Sequence, residues 1–406
     1  MDHSKLLIVM VGLPASGKST LSSKIEQGLA AEDIATKVFN NGDVRREMIK
    51  DRDTSIAEFY DPHNPEALAL RESIARINME KARDYLAGPG QVAVLDAANV
   101  SRKRRAIIKE FLGQYPIFFV ECISQDPELL KASISRKATL PEFAHMCRED
   151  ATTCFMHRID YYRSIYQPLT EEDNFVVLDT LDNRILRERV QAVVPYYPLV
   201  RDLIVSDWVR NLYVVRHGET QDNVENRIGG DSDLTGKGQA QAQNLAGYFR
   251  DLPLPYVFTS TKRRTMQMTQ ALCAGRTDCR VIQLADLNEI DAGICEGMTY
   301  DQIAQTMPAI HEARTRDKYN YVYPEGEGYV TLRERVERGI KKALYLSGNS
   351  EHIMIVGHQA VNRMILSHFL YRRPEDVPYI FIPQDRYYHI VSTQNRKVFE
   401  MVKFQK

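Results

Sequence analysis

Two short stretches of this 406-residue chain combine residue types and spacings suited to phosphate chemistry. The first is Gly12-Leu13-Pro14-Ala15-Ser16-Gly17-Lys18-Ser19-Thr20, which fits GxxxxGK[ST]. In such a loop, backbone N–H groups and a helix N-terminus surround phosphates, the lysine reaches the β/γ oxygens, and the hydroxyl after it binds Mg2+. Gly12 and Gly17 supply the turn, Lys18 the charge and Ser19 the metal ligand. A second part is an acid at the end of a neighbouring strand, and Val92-Ala93-Val94-Leu95-Asp96 provides one. Asp96 either holds Mg2+ or accepts a proton. ATP and Mg2+ are therefore the expected cofactors. Basic residues recur just after strand-like runs or on helix faces, where open α/β sheets bind ligands. They are Arg45, Arg71, Arg104, Lys137 and Arg158, the last with Tyr162 one helical turn on. Discrete cations of this kind predict a phosphorylated small molecule as acceptor.

The second stretch is Val214-Val215-Arg216-His217-Gly218-Glu219. A histidine at a strand end, freed by glycine and flanked by arginine, can attack phosphorus through a ring nitrogen while the guanidinium neutralises the equatorial oxygens. Ser260 and Arg264 follow the next strand-like run. Glu289 is a candidate acid for the leaving oxygen, and Gly357-His358 gives a second histidine at a strand end. Asn223 and Arg227 lie one and two turns beyond His217.

These residues need strand ends to stand on. Leu6–Val11, Val92–Leu95, Ile117–Glu121 and Phe175–Leu178 read as buried parallel strands, alternating with helical patterns at Ser19–Ala31, Pro65–Leu86 and Arg102–Gly113. The stretch 141–166 reads as a helical pair. A second cycle has strands at Leu212–Val215, Tyr256–Thr259 and Ile353–Val356, with helices at Lys237–Asp251 and from Ala360. The predicted fold is α/β: a doubly wound, mainly parallel P-loop sheet over 1–208, then a three-layer α/β domain over 209–406. Val194–Arg210, with two prolines and no clear period, is the expected boundary. The formal net charge of −1 argues against a nucleic-acid or membrane partner, and with it against a polynucleotide kinase–phosphatase. Six cysteines without a CxxC pair predict reduced thiols, and no apolar run suits a signal or membrane helix, so a cytoplasmic location is expected. A binding-only sensor of ATP and a sugar phosphate is the other alternative, disfavoured because Lys18, Asp96, His217 and Glu289 are all present.

The order RHGE, Ser260, Arg264, Glu289, Gly357-His358 resembles the histidine phosphatase (phosphoglycerate-mutase-like) superfamily. Joined to GLPASGKS, FNNGDVRRE, VLDAAN, YYRSIYQPL, RHGETQDN, RIGGDS, LNEIDAG, DKYNYVYP and GHQAVNR, it resembles the bifunctional 6-phosphofructo-2-kinase/fructose-2,6-bisphosphatase family almost end to end. The resemblance implies that Gly12, Gly17, Lys18, Ser19 and Thr20 bind ATP, with Ser19 and Asp96 on Mg2+. It implies that Asp96 and Lys137 serve phosphoryl transfer to the 2-hydroxyl of fructose 6-phosphate, held by Arg45, Arg71, Arg104, Arg158 and Tyr162. In the second half it implies His217 as phosphohistidine, Glu289 as general acid, and Arg216, Asn223, Arg264 and His358 around the transferred group. Gly229, Tyr300, Arg314, Lys318, Tyr329, Gln359 and Arg363 then take the rest of fructose 2,6-bisphosphate. It also implies a homodimer. Three departures stand out: Ala98 replaces a sugar-contacting Thr, Ser124 replaces a Cys, and regulatory extensions with phosphorylation sites are missing from the 406 residues, so covalent regulation is not expected.

Overall fold

The structure is a computed structural model describing residues 4–49, 53–61, 63–370 and 373–404. The chain divides into two compact units, Met1–Ser206 and Asp207–Lys406. In the first, β1 (Leu6–Val11), β2 (Thr36–Asn40), β3 (Val92–Asp96), β4 (Ile117–Ile123), β5 (Asn174–Asp179) and β6 (Arg184–Val190) form one sheet in the order β2-β3-β1-β4-β5-β6. All neighbours are parallel except β5 and β6. Every residue of β1 is buried, because alternate side chains enter different cores: Leu6, Ile8 and Met10 one, Leu7, Val9 and Val11 the other. A strand buried on both faces reads as a continuous apolar run, which is why it was visible. β6, RILRERV, is a charged and exposed edge, so hydrophobicity gave no sign of it.

The second unit repeats the plan with β7 (Val209–Arg216), β8 (Tyr256–Thr259), β9 (Arg280–Gln283), β10 (His352–Gly357), β11 (Arg386–Ser392) and β12 (Lys397–Lys403), ordered β12-β11-β7-β10-β8-β9. β7, β10, β8 and β9 are parallel and β11 and β12 antiparallel. Parallel register pairs Gly357 with Arg216, and the His217 N–H continues the ladder to the Gly357 carbonyl at 3.1 Å. Two strand ends are thereby level, and the histidine that follows each is brought beside the other.

Three expectations change. The stretch 141–166 is a short 3₁₀ turn, Pro141–Phe143, and one long helix, Arg148–Ser164, rather than two helices. Residues 194–210 contain the helix Tyr197–Val205, whose Val200, Leu203 and Ile204 join the first unit's core. Cys273 and Cys279 form a disulfide with Cα atoms 5.6 Å apart, correcting the expectation of six reduced thiols. A helix end (Arg263–Cys273) and the approach to β9 bring these two together, which their spacing does not reveal. Among the described residues no helix is long and apolar enough to cross a membrane.

Leu203 is fully buried and lies where Gly28 leaves room on the helix Lys18–Ala30: a Cβ on Gly28 would come within 2.3 Å of it. Leu203→Ala should therefore lower the stability of the first unit by about 2–5 kcal/mol, read as an earlier denaturant midpoint, with the second unit's transition unmoved. A midpoint shifted by less than a tenth of that would mean the helix is a mere tether.

Candidate active sites

The loop between β1 and the helix Lys18–Ala30 wraps tightly. Gly12 has φ 141° and a Cβ there would lie 2.5 Å from the Cys122 carbonyl, while Gly17 caps the helix at φ 82°. Lys18, first in that helix, is buried, and its Nζ donates to the Leu13 carbonyl (2.6 Å) and to Ser16 Oγ (3.4 Å). Burial pushes its pKa down to about 8; Asp96 pulls it up, and Arg158 and Lys137 press it further down. Asp96 ends β3 opposite Asn40 of β2, whose Nδ2 donates to Asp96 Oδ2 at 2.6 Å. These groups share a cleft of about 790 Å³ with Ser19, Ala98, Arg71, Arg104, Lys137, Arg158 and Tyr162. Burial also lowers the pKa of Lys137, with Arg136 and Arg158 adding to the effect.

Sequence-predicted residues fall into two sets here. Gly12, Gly17 and Thr20 build the loop and helix start without lining the cleft. Arg45 does not line it either. It is buried beneath, donating to Tyr60 Oη at 2.6 Å and to the Glu142 carboxylate, and its neighbour Arg46 faces the cleft instead. In this structure the Arg45 guanidinium is engaged by Tyr60 and Glu142 and does not reach the cleft lining, unlike its expected direct contact with the sugar phosphate. Glu142 was missed. Its carboxylate lies 3.8 Å from Arg46 and 4.0 Å from Arg158, an acid among the cations of the cleft. Arg158 stacks over the Tyr60 ring at 5.0 Å, Arg71 over Tyr161 at 4.6 Å, and Arg104 pairs with Glu72 at 2.6 Å. Ser19 and Asp96 offer a hydroxyl and a carboxylate at the mouth of the loop, a hard-oxygen donor pair that fits Mg2+ sharing its shell with nucleotide phosphates.

In the second unit His217 is buried, and its Nδ1 faces the Gly218 carbonyl at 2.8 Å. A carbonyl can only accept, so Nδ1 carries the proton and Nε2 keeps its lone pair. Burial first, then Arg264 and Arg216, hold its pKa well below the ordinary 6.5. His358, 5.2 Å away ring to ring, has the same environment and the same direction of shift, from burial and then Arg264. Its tautomer is fixed too: Arg264 Nε donates to Nδ1 (3.2 Å), leaving Nε2–H to donate to Ser260 Oγ (2.8 Å). Ser260 O–H in turn donates to Thr265 Oγ1 (2.7 Å), which donates to the Lys262 carbonyl (2.9 Å). This chain aims Arg264. His358 is fully buried beside His217, held between Arg264 and Ser260, and does not itself line the cleft.

Glu289 reaches the first turn of the helix Gln359–Phe369, accepting from the N–H groups of Gln359 (2.9 Å) and Ala360 (3.1 Å). Arg335 clamps its loop, donating to the Asp286 and Asn288 carbonyls at 3.0 and 2.8 Å while pairing with Glu327. A cleft of about 550 Å³ joins Arg216, His217, Asn223, Arg227, Gly229, Arg264, Glu289, Tyr300, Arg314, Lys318, Tyr329, Gln359 and Arg363. At its far end Arg314 donates to Tyr300 Oη (2.9 Å) and Arg363 to Tyr329 Oη (2.8 Å). Burial, then Arg314 and Arg363, press Lys318 down to about 8. Gly229 adopts φ 71°, a conformation that strains any residue with a Cβ, and the Glu296 carboxylate lies where that Cβ would sit. Tyr321, Tyr323 and His311 also line the cleft and were missed, since a tyrosine gives no sign in sequence of whether its hydroxyl faces a core or a site.

A P-loop α/β unit and a strand-end histidine set between arginines define a kinase–phosphatase. Residues 1–198 match the family model of 6-phosphofructo-2-kinase, and residues 212–405 that of histidine phosphatase superfamily branch 1. The chain is 36% identical over 397 residues to 6-phosphofructo-2-kinase/fructose-2,6-bisphosphatase 4 of Rattus norvegicus, covering 94% of this chain and 81% of that one. It is 35% identical over 391 residues to form 1 of Homo sapiens, covering 94% and 80%. The alpha-ribazole phosphatase structure from Shigella flexneri aligns at 26% identity and TM-score 0.44, over 48% of this chain and 96% of that one. This chain belongs to the 6-phosphofructo-2-kinase/fructose-2,6-bisphosphatase family.

The two buried histidines tie stability to pH. A folded pKa below the unfolded 6.5 means that the unfolded chain binds more protons as pH falls. The second unit should lose stability on acidification through and below that value, by up to about 1.4 kcal/mol per pH unit for each histidine. Chemical denaturation at pH 7 and pH 5.5 checks this, as does NMR, where neither ring should titrate near 6.5. A histidine that titrates there has no low-pKa environment.

Proposed function

We propose that the first unit transfers the γ-phosphoryl group of ATP to the 2-hydroxyl of fructose 6-phosphate, and that the second hydrolyses fructose 2,6-bisphosphate back to fructose 6-phosphate. The observation that carries this reading is that each unit holds its own full phosphate-handling set, Lys18 with Asp96 in one cleft and His217 between Arg216 and Arg264 in the other. In the kinase cleft Lys18 and the loop N–H groups receive the β/γ-phosphates. Lys137 and Arg158 stand toward the sugar phosphate, and Asp96 accepts the proton of the attacking hydroxyl or serves the metal. Ser19 and Asp96 would hold Mg2+, which when bound would neutralise charge on the nucleotide phosphates. In the phosphatase cleft His217 Nε2 forms the bond to phosphorus as the P–O2 bond breaks. Glu289 gives its proton to the departing sugar oxygen. Water then attacks phosphorus, Glu289 takes its proton, and the P–N bond breaks to release phosphate. Tyr300, Arg314, Lys318, Tyr329 and Arg363 hold the 6-phosphate. The reading includes a cytoplasmic homodimer, supported by family resemblance alone and tested by sedimentation and localisation.

Lys18→Met should abolish phosphoryl transfer from ATP and leave bisphosphate hydrolysis nearly intact, and His217→Ala should do the reverse. Loss of both activities in either variant sinks the two-site reading. Brief exposure to substrate labelled at the 2-phosphate should leave acid-labile phosphate on the protein, absent in His217→Ala.

Ala98 lines the kinase cleft, and its carbonyl accepts the Gly12 N–H at 2.9 Å. A hydroxyl there adds one neutral hydrogen bond, worth about 0.5–1.5 kcal/mol, so Ala98→Thr should lower the KM for fructose 6-phosphate roughly two- to tenfold. Arg158→Ala should cost about a hundredfold by removing a charge-assisted contact. An unchanged sugar KM in both would remove this assignment of the sugar subsite.

A further inference from the structure

Between Pro378 and Gln384 one stretch serves the phosphatase cleft at every second residue. The Pro378 carbonyl accepts from Lys318 Nζ (3.1 Å), the Ile380 carbonyl from Arg363 Nε (2.9 Å) and the Ile382 carbonyl from Arg216 Nη1 (3.1 Å). Gln384 continues the series with its side chain, Nε2 donating to Asn223 Oδ1 at 2.9 Å. The polarity of that contact is fixed independently. Asn223 Oδ1 also accepts the backbone N–H of Thr220 at 3.2 Å, and a backbone N–H can only donate. The oxygen of Asn223 therefore faces Thr220 and Gln384. Its Nδ2 is the polar atom left for a ligand in the cleft that Asn223 lines with His217, Arg216 and Arg264.

The terminal torsion of asparagine is broad and nearly two-fold, so nothing intrinsic prevents a half-turn. The flipped amide would present an acceptor oxygen to phosphoryl oxygens, which repel it. Thr220 alone opposes the flip with one bond, and Gln384 adds a second from the opposite partner. We infer that Gln384 is a positioning residue of the phosphatase: it locks the Asn223 amide with Nδ2 toward the phosphoryl group being transferred. This rests on the reading of His217 as phosphoryl acceptor. Because Arg314, Lys318 and Arg363 hold the other phosphate, the effect falls on turnover rather than on substrate capture.

The test uses the full chain with Gln384→Leu and Gln384→Met, both lacking the donor, and measures labelling of His217 and steady-state hydrolysis of fructose 2,6-bisphosphate. Kcat should fall roughly three- to tenfold, with KM within about twofold of the unmutated value. In an Asn223→Ala background the Gln384 substitutions should have no further effect, because the group they orient is gone. The second unit's denaturant midpoint in the same samples reports an intact fold there. Unmutated kcat in both variants overturns the inference. So do losses that multiply with Asn223→Ala, or a second-unit midpoint lowered in both variants far enough to unfold that unit under assay conditions, since either marks a purely structural residue. Absence of label in the unmutated chain removes the His217 reading and this inference together, whereas a labelled chain indifferent to Gln384 removes the inference alone.

Discussion

Positive charge taken out of water is the constraint around which both clefts are built. Lys18, Lys137 and Arg158 crowd one strand-end cleft, and Arg216, Arg264, Arg363 and Lys318 the other. Burial disfavours the charged forms of Lys18 and Lys318 and nearby cations press them further, so both fall to about 8. Such clusters persist in a folded chain when most of their N–H groups find acceptors, although the Nε groups of Arg158 and Arg216 are buried without one. Much of the local architecture consists of those acceptors. They are Leu13 and Ser16 under Lys18, Glu142 under Arg45, Gly230 under Arg264, and the carbonyls of 378, 380 and 382 under the far cations.

The sheets put the cations where they are. β1 with β3 in one unit, and β7 with β10 in the other, are parallel neighbours whose carboxyl ends stop level, so a residue just past each strand faces the same crevice. Asn40 meets Asp96, and His217 meets His358, because register leaves them side by side. That geometry follows from apolar runs that sequence displays openly, and so the chemistry at their ends was legible with it. The structure brings Lys18 and Asp96 together in one cleft and His217, Arg264 and Glu289 in the other.

What stayed hidden has a common physical character. In Arg45-Arg46, one turn of a short helix decides which guanidinium faces the cleft, and successive helical residues point about 100° apart, so adjacent arginines look equivalent in a string of letters. Glu142 carries the wrong sign for an anion site and becomes visible only when Arg45, Arg46 and Arg158 are seen around it. Backbone carbonyls have no letter at all. The stretch 378–384 orders four cleft residues, yet its sequence advertises only an exposed Tyr379 and Phe381. β6 and β12 carry charge because they are edges, and charge is what the hydrophobic pattern discards.

The two clefts satisfy their cations differently, and the difference matters for the chemistry. The kinase cleft sets carboxylates among them: Glu142 near Arg46 and Arg158, Glu72 on Arg104, and Asp96 beside Lys18. The phosphatase cleft relies more on carbonyls, with two acids beside its arginines: Glu289, which bears on Arg216 and Arg264, and Asp231, 3.6 Å from Arg264. A carbonyl fills an N–H without cancelling its charge, so the field survives. That field presses on His217, whose pKa falls first through burial and then through Arg264 and Arg216, and a nucleophilic nitrogen must be unprotonated to attack. Replacing those carbonyls by carboxylates would satisfy the same arginines, yet it would weaken both the attraction for two phosphates and the pressure that keeps the imidazole neutral. Neutral acceptors therefore fit a histidine nucleophile, whereas the kinase cleft has no such nucleophile to protect and accommodates acids among its cations.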